Sequence, residues 1–258
     1  MAGFRSVRMQ RAVFIALALA CAPAGASGLQ VAPISLQLGA QQTADGLWLS
    51  NTGNAPLQAQ VRVYHWSQQN GEEQLEPSRG VMISPPMLKL GPGARQLVRV
   101  IRAGAPPQGR EDAYRVVIDE LPVEIPATGA PETNAVDDAK RGLQFVLRYS
   151  VPVFLAPAGV VTPAPELKGS IVRDGEHTLL EVGNTGAMHA QLGNLVHLDA
   201  QGKRSELVSG LLGYVLAGQT MRWSLDAAKD SLASGGRLQS RINGEPVEQT
   251  VATVATSP

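Results

Sequence analysis

Apolar and polar side chains alternate with a period close to two along most of the chain. The runs GLWLSN, LQAQVRVYHW, RQLVRVIR, DAYRVVIDEL and LQFVLRYSVPVF carry this pattern, as do SIVRD, HTLLEVGN, HAQLGNLVHLD and TMRWSL further on. Such alternation sends every second side chain to one face, the mark of a strand with one buried side. Turn-forming clusters such as NTGNAP, SPP, GPGA, APPQG and DGE separate the runs. No long stretch has helical spacing. The pattern predicts an all-β protein built from sandwiches. Between Leu155 and Leu167 the alternation lapses in LAPAGVVTPAPEL, with Pro157, Pro163 and Pro165, which predicts a boundary between domains 27–157 and 158–258. Asn51-Thr52-Gly53 before Ala59-Gln60-Val61 is echoed by Asn184-Thr185-Gly186 before Ala190-Gln191-Leu192, each a turn feeding a strand.

Residues 143–154 stand apart from the other runs. Leu143, Phe145, Leu147, Tyr149, Val151 and Val153 share one face, while Gln144, Arg148, Ser150 and Pro152 are among the residues between them. Pro152 has no N–H to give to a ladder, so this strand is expected at a sheet edge, where an apolar strand invites pairing with another chain. Two placements fit the alternation: the large side chains face their own domain's core, or they are offered to a partner. The preceding segment, PVEIPATGAPETNAVDDAKRG, is polar and broken by proline, and is expected to order only with a partner or to serve as a plain connector.

The N-terminus indicates where the chain works. Arg5, Arg8 and Arg11 precede the short apolar run AVFIALALA, and Ala24-Gly25-Ala26 offers a small-residue cleavage site. Residues 1–26 are therefore expected to be a signal peptide. The apolar run is shorter than the roughly 20 residues a resident spanning helix needs. Leu19 lies one place from where a lipoprotein signal at Cys21 would want it. Cleavage removes the single cysteine, so stability must come from burial in the roughly 230 residues that remain, enough for two ordinary domains. Lys plus Arg and Asp plus Glu number 22 each, so the balance does not point to nucleic acid or to an anionic membrane, and any charge recognition must be local.

Enzyme chemistry finds little support. His65, His177, His189 and His197 have no zinc-binding spacing, and the sequence contains no GxSxG, P-loop or GxGxxG motif. Asp119 and Glu120 are adjacent in a strand pattern and would point to opposite faces, which suits no acid/base pair. The reading is a non-enzyme without metal or cofactor.

The run ISPPMLKLGPGARQLVRV at 83–100, then GREDAYRVVIDELP at 109–122, then LQFVLRYSVPVF, is more specific. In order and spacing these motifs resemble the periplasmic chaperones of the chaperone-usher pilus pathway (PapD-like), and YRVVIDELP with GYVLAGQT is most similar to the archaic branch. The resemblance implies two immunoglobulin-like sandwiches set at an angle in an L shape. It implies a periplasmic chaperone that folds and caps incomplete pilus subunits by lending its own strand, residues 143–154, and delivers them to an outer-membrane usher. Strand addition is an established mode for chaperone and pilin. The main chain would extend the subunit's ladder while Leu143, Phe145 and Leu147 enter its groove, with Tyr149 next on the same face of the donor strand. Three such side chains could contribute on the order of 5 to 9 kcal/mol before ordering costs. The alternative is a secreted two-sandwich structural or adhesive protein that polymerises through the same strand, but a detachable donor would then be expected at a terminus rather than in mid-chain.

Two departures from the family pattern carry expectations of their own. Family members bind the subunit's terminal carboxylate with an Arg on the first strand and a Lys near the end of the lent strand; here those positions are Ser35 and Pro152. Antiparallel pairing of DAYRVVIDEL with LQFVLRYSVPVF is expected to bring Arg115 near Arg148, and these two are the candidate carboxylate anchors, Arg115 first. By resemblance, Arg99 and Glu111 are expected to form a buried structural ion pair near the domain junction.

Overall fold

A computed structural model describes residues 28–122, 146–159 and 164–255. Ten strands belong to the first half: β1 Leu29–Ala32, β2 Leu36–Leu38, β3 Ala44–Asn51, β4 Leu57–Gln69, β5 Glu72–Pro77, β6 Val81–Ser84, β7 Met87–Leu90, β8 Arg95–Arg102, β9 Asp112–Leu121 and β10 Arg148–Leu155. Seven follow: β11 Leu167–Asp174, β12 His177–Asn184, β13 Ala190–Leu198, β14 Arg204–Val215, β15 Thr220–Ser224, β16 Gly236–Ile242 and β17 Glu248–Val254. The described helical structure is a turn of 3-10 helix at Asp226–Ala228 followed by a turn of α-helix at Lys229–Leu232. The all-β expectation holds.

In the first half two sheets face each other. One has the order β1-β3-β8-β6, and the other β2-β10-β9-β4-β5 with β7 also paired to β4. Alternation supplies the layer between them: Leu47 and Leu49 of β3 and Val98 and Val100 of β8 meet Ala59 and Val61 of β4, Val116 and Ile118 of β9, and Val151 and Val153 of β10. The second half forms one hydrogen-bonded path, β14-β13-β16-β17-β11-β12-β15, around its own core of Leu180, Leu192, Leu195, Val215 and Leu238. A third, smaller cluster joins the halves, with Trp66, Ala113 and Phe154 from the first and Tyr214 and Leu216 from the second.

The two turn echoes have one physical use. Asn51 and Asn184 are buried at strand ends, and each side-chain amide donates to two carbonyls, of Ala55 and Leu90 for Asn51 and of Met188 and Val215 for Asn184. Each Asn Oδ1 also accepts the N–H two residues on, from Gly53 and Gly186. A buried amide so used leaves little of its polarity unpaired, which is why the same triplet closes a strand in both halves.

Candidate functional site

The face of the second sheet opposite the core carries both charged and aromatic side chains. Register sets it out in rows. Arg148 of β10 lies opposite Asp119 of β9, Ser150 opposite Val117, Pro152 opposite Arg115 and Phe154 opposite Ala113. On the far side of β9, Asp119 faces Gln60 of β4, Val117 faces Arg62 and Arg115 faces Tyr64. The face therefore runs from a charged end at Arg148 to an aromatic end at Phe154 and Trp66.

At the charged end Asp119 accepts hydrogen bonds from both Arg62 and Arg148. Burial acts to raise the pKa of this carboxyl, but the bonds from Arg148 and Arg62 outweigh it and hold the group below its ordinary value. Gln60, Leu121, Val146 and Leu147 join these three residues and Glu120 around a groove of about 480 Å³.

Arg115 lies two rows on. Its guanidinium stacks 3.6 Å from the Trp66 ring centre and 5.5 Å from that of Tyr214. Nη2 donates to Glu73 Oε1 at 3.3 Å. Burial lowers its pKa and the charge of Glu73 opposes that shift. Trp66 meets Tyr214 edge to face at 5.4 Å, so the platform under Arg115 is made by both halves.

Four further contacts fix this junction. Gln68 is buried, and its side chain completes a small ladder with the second half, Nε2 donating to Tyr214 O at 2.8 Å and Oε1 accepting from Leu216 N–H at 2.9 Å. Glu111 Oε2 accepts the backbone N–H of His189 at 2.9 Å and lies 2.6 Å from its Nδ1. The His189 ring stacks on Phe154 at 3.5 Å. Gly71, at φ +82°, has Arg222 side-chain carbons 2.7 Å from where a Cβ would sit, and its carbonyl accepts Arg222 N–H, so the β4-β5 turn is held against β15.

The edge at β10 is uneven. β9 pairs with it from Arg148 to Leu155, whereas β2 covers its other side only from Val153 to Leu155. Pro152 marks the point where cover stops. On the inward face, Val151, Val153 and Leu155 are sealed in the core, while Tyr149 and Leu147 are only partly buried against it. Tyr149 Oη also donates to Leu29 O at 2.6 Å. Leu143 and Phe145 lie outside the described residues.

Two sequence expectations need correction. Arg115 and Arg148 are not brought together: antiparallel register places Arg115 beside Pro152 and gives Arg148 to Asp119, two rows apart in a ladder that admits no slip while one face is buried. Arg99 and Glu111 do not pair either. Arg99 falls on the exposed face of β8, because Val98 and Val100 take the inward positions, and Glu111 is bonded to His189 instead. The sequence does not point to Glu73, Trp66 or Gln68, and it marks His189 only as a histidine without zinc-binding spacing. Glu73 and Arg115 are distant in the chain, and only folding makes them neighbours.

Comparison with known proteins gives the following. Residues 28–161 match the family model described as pili and flagellar-assembly chaperone, PapD N-terminal domain. Among solved structures, the chain is similar to one in the CsuC-CsuE chaperone-tip adhesion subunit pre-assembly complex from the archaic chaperone-usher Csu pili of Acinetobacter baumannii. Identity is 21%, coverage is 86% of this chain and 96% of that one, and the TM-score is 0.66. It is also similar to a chain of the Salmonella enterica SafA pilin complex with the SafB chaperone, at 17% identity, covering 90% and 95%, with a TM-score of 0.57. The E. coli chaperone DraB gives 16% identity, coverage of 90% and 97%, and a TM-score of 0.56. No curated protein sequence matches. At these identities the structural likenesses speak to fold.

Proposed function

Because the chain belongs to the pili and flagellar-assembly chaperone family, a family of chaperones and not of enzymes, we propose that it captures incomplete pilus subunits on the open half of β10 and passes them to an outer-membrane usher. The observation that supports this most is the change along β10. From Leu155 back to Leu147 the inward side chains pass from sealed to partly buried, and the outer side of the strand loses its neighbour at Pro152. A strand that leaves its own core in this way can continue into another chain's groove, so Leu143, Phe145 and Leu147 are the side chains we assign to the subunit. Tyr149 sits at the transition, tied to Leu29 in its own domain.

Arg115 is the residue we assign to the subunit's terminal carboxylate. It lies directly beside Pro152 on β9, and Ser35 immediately precedes β2 on the other side of β10, so of the two positions that lack a basic residue the one on the lent strand has this guanidinium as its neighbour. Arg148, already bonded to Asp119, is the weaker candidate. Residues 27–157 and 158–258 are taken as the two domains, and the Arg-flanked apolar N-terminus ending at Ala24-Gly25-Ala26 supports export to the periplasm. No helix among the described residues is long and apolar enough to cross a membrane.

The test is Phe145→Asp. The isolated protein should keep its circular dichroism and its solubility, and co-purification of pilus subunits should be lost, because an unpaired charge is costly only once it is buried in the complex. Unfolding of the isolated variant would place Phe145 in the protein's own core and end the donor assignment. Unchanged capture of subunits by a folded variant would end it equally.

A further inference from the structure

We infer that Glu73 is a placeholder: its carboxylate occupies, in the free protein, the N–H edge of Arg115 that a bound subunit's carboxylate takes over. The inference rests on reading Arg115 as the carboxylate anchor, and it adds what must happen before that anchor can be used.

The argument starts from the enclosure of Arg115. Only 12% of its side chain is exposed, and its flat face is spent on Trp66. A stacked guanidinium can still form hydrogen bonds, but only outward in its own plane. A positive charge this enclosed is costly to leave without an anion, so the free protein needs a carboxylate there. Glu73 is that carboxylate, and its hold is slight. It touches through one oxygen at 3.3 Å, the long end of the hydrogen-bond range, where the surface pairs Arg204–Glu248 and Arg222–Glu181 close to 2.5 and 2.6 Å. Its side chain is 42% exposed, so it can turn to water without losing a buried contact.

Its position is nevertheless fixed. β5 is short, mostly exposed and apolar only at Leu75, so packing alone would not define where it lies. The Gly71 contact with Met221 and Arg222 holds the start of the hairpin on the second half, and Glu73 follows two residues later. A weak, half-solvated acid is thereby kept at the mouth of an enclosed cation. An incoming carboxylate that accepts two N–H bonds in parallel would replace a single long one. Exchange of this kind keeps Arg115 paired at every stage and makes subunit affinity depend on the displaced acid as well as on the anchor.

The experiment uses acetate as the probe. Sodium acetate is titrated at constant ionic strength into the nitrogen-15-labelled full mature chain, and the Arg115 Nε–H resonance is followed, identified by its loss in Arg115→Lys. In Glu73→Gln the half-saturating acetate concentration should fall by about two- to fivefold, the range expected for losing a partly exposed ion-pair competitor. Resonances remote from β5 should be unchanged, which establishes that the variant is folded. The same midpoint in wild type and Glu73→Gln would overturn the placeholder and leave the anchor standing. No acetate response at Arg115 in either protein would overturn the anchor, and the placeholder with it.

Discussion

Arg115 stacks on an aromatic platform made by both halves and gives its N–H edge to Glu73, so one side chain combines a structural contact with the proposed carboxylate anchor. Removing the guanidinium should weaken subunit binding by about 10- to 150-fold, the equivalent of roughly 1.5 to 3 kcal/mol for a charge-assisted hydrogen bond. Amidating the subunit's C-terminus should weaken wild-type binding similarly and scarcely affect Arg115→Ala. A double-mutant cycle read by calorimetry checks this, and additive losses would mean that Arg115 binds something else. A second residue-scale effect belongs to the other half, where His177 Nδ1 lies 2.8 Å from Asp226 Oδ2. The bond from His177, with those from the Thr178 N–H and Ser224, lowers Asp226 from 3.8 to about 2, and the same partner raises His177 above 6.5. The Asp226 contribution is complete above 3.8 and is lost as pH falls through about 2; that of His177 is complete below 6.5 and is lost as pH rises through its elevated folded value. Urea midpoints of wild type and Asp226→Asn should therefore differ most between pH 3.8 and 6.5, the difference vanishing as pH falls through about 2 and shrinking as it rises through the elevated His177 value.

Strand β10 is the element on which the proposed function turns, and its two halves differ in ways that can be measured. Val153 to Leu155 lie between β2 and β9 and close the core. Among the described residues, Arg148 to Pro152 have β9 on one side only, and Pro152 itself contributes no N–H. Hydrogen exchange in the free protein should accordingly be faster across residues 146–151 than across 153–155. Binding of a subunit by strand addition should slow exchange in the first segment and leave the second unchanged, because only the first has an unpaired side to give. Protection confined to β5 and β15 on subunit binding, with none in residues 146–151, would contradict the use of this edge.

The whole molecule depends on a junction where few residues join two separate cores. The ladder made by Gln68 with Tyr214 and Leu216, the Glu111–His189 pair and the ring cluster around Trp66 tie the two halves, and Arg115 lies on the same cluster. Gln68→Ala would leave the Tyr214 carbonyl and the Leu216 N–H without their partner at a buried position, at a cost of about 1 to 3 kcal/mol. Denaturant unfolding followed by tryptophan fluorescence should show that loss, and the Arg115 Nε–H resonance should broaden as the platform loosens. Conserved stability with an unaltered resonance would show that the ring cluster alone fixes the junction.

Much of this protein was determined by its sequence alone. Alternation at period two settled the all-β class, since a strand must present every second side chain to a core, and it marked β3, β4, β8, β9 and β10 as well as β11, β12, β13 and β15. The ordered motifs between Pro85 and Val153 were enough to bring the chaperone family into view. The strand β5 escaped because EEQLEP is too exposed to show a buried face, and β14 because a bulged pairing with β13 breaks its period. Which charges meet was decided only by tertiary structure. Register moved Arg148 to Asp119 and left Arg115 beside Pro152, alternation on β8 turned Arg99 outward, and Glu111 found its partner 78 residues away in His189. The physical reason is one of range: a core face is a local property of neighbouring residues in the chain, whereas an ion pair depends on the packing of strands that the chain brings together only when it is complete.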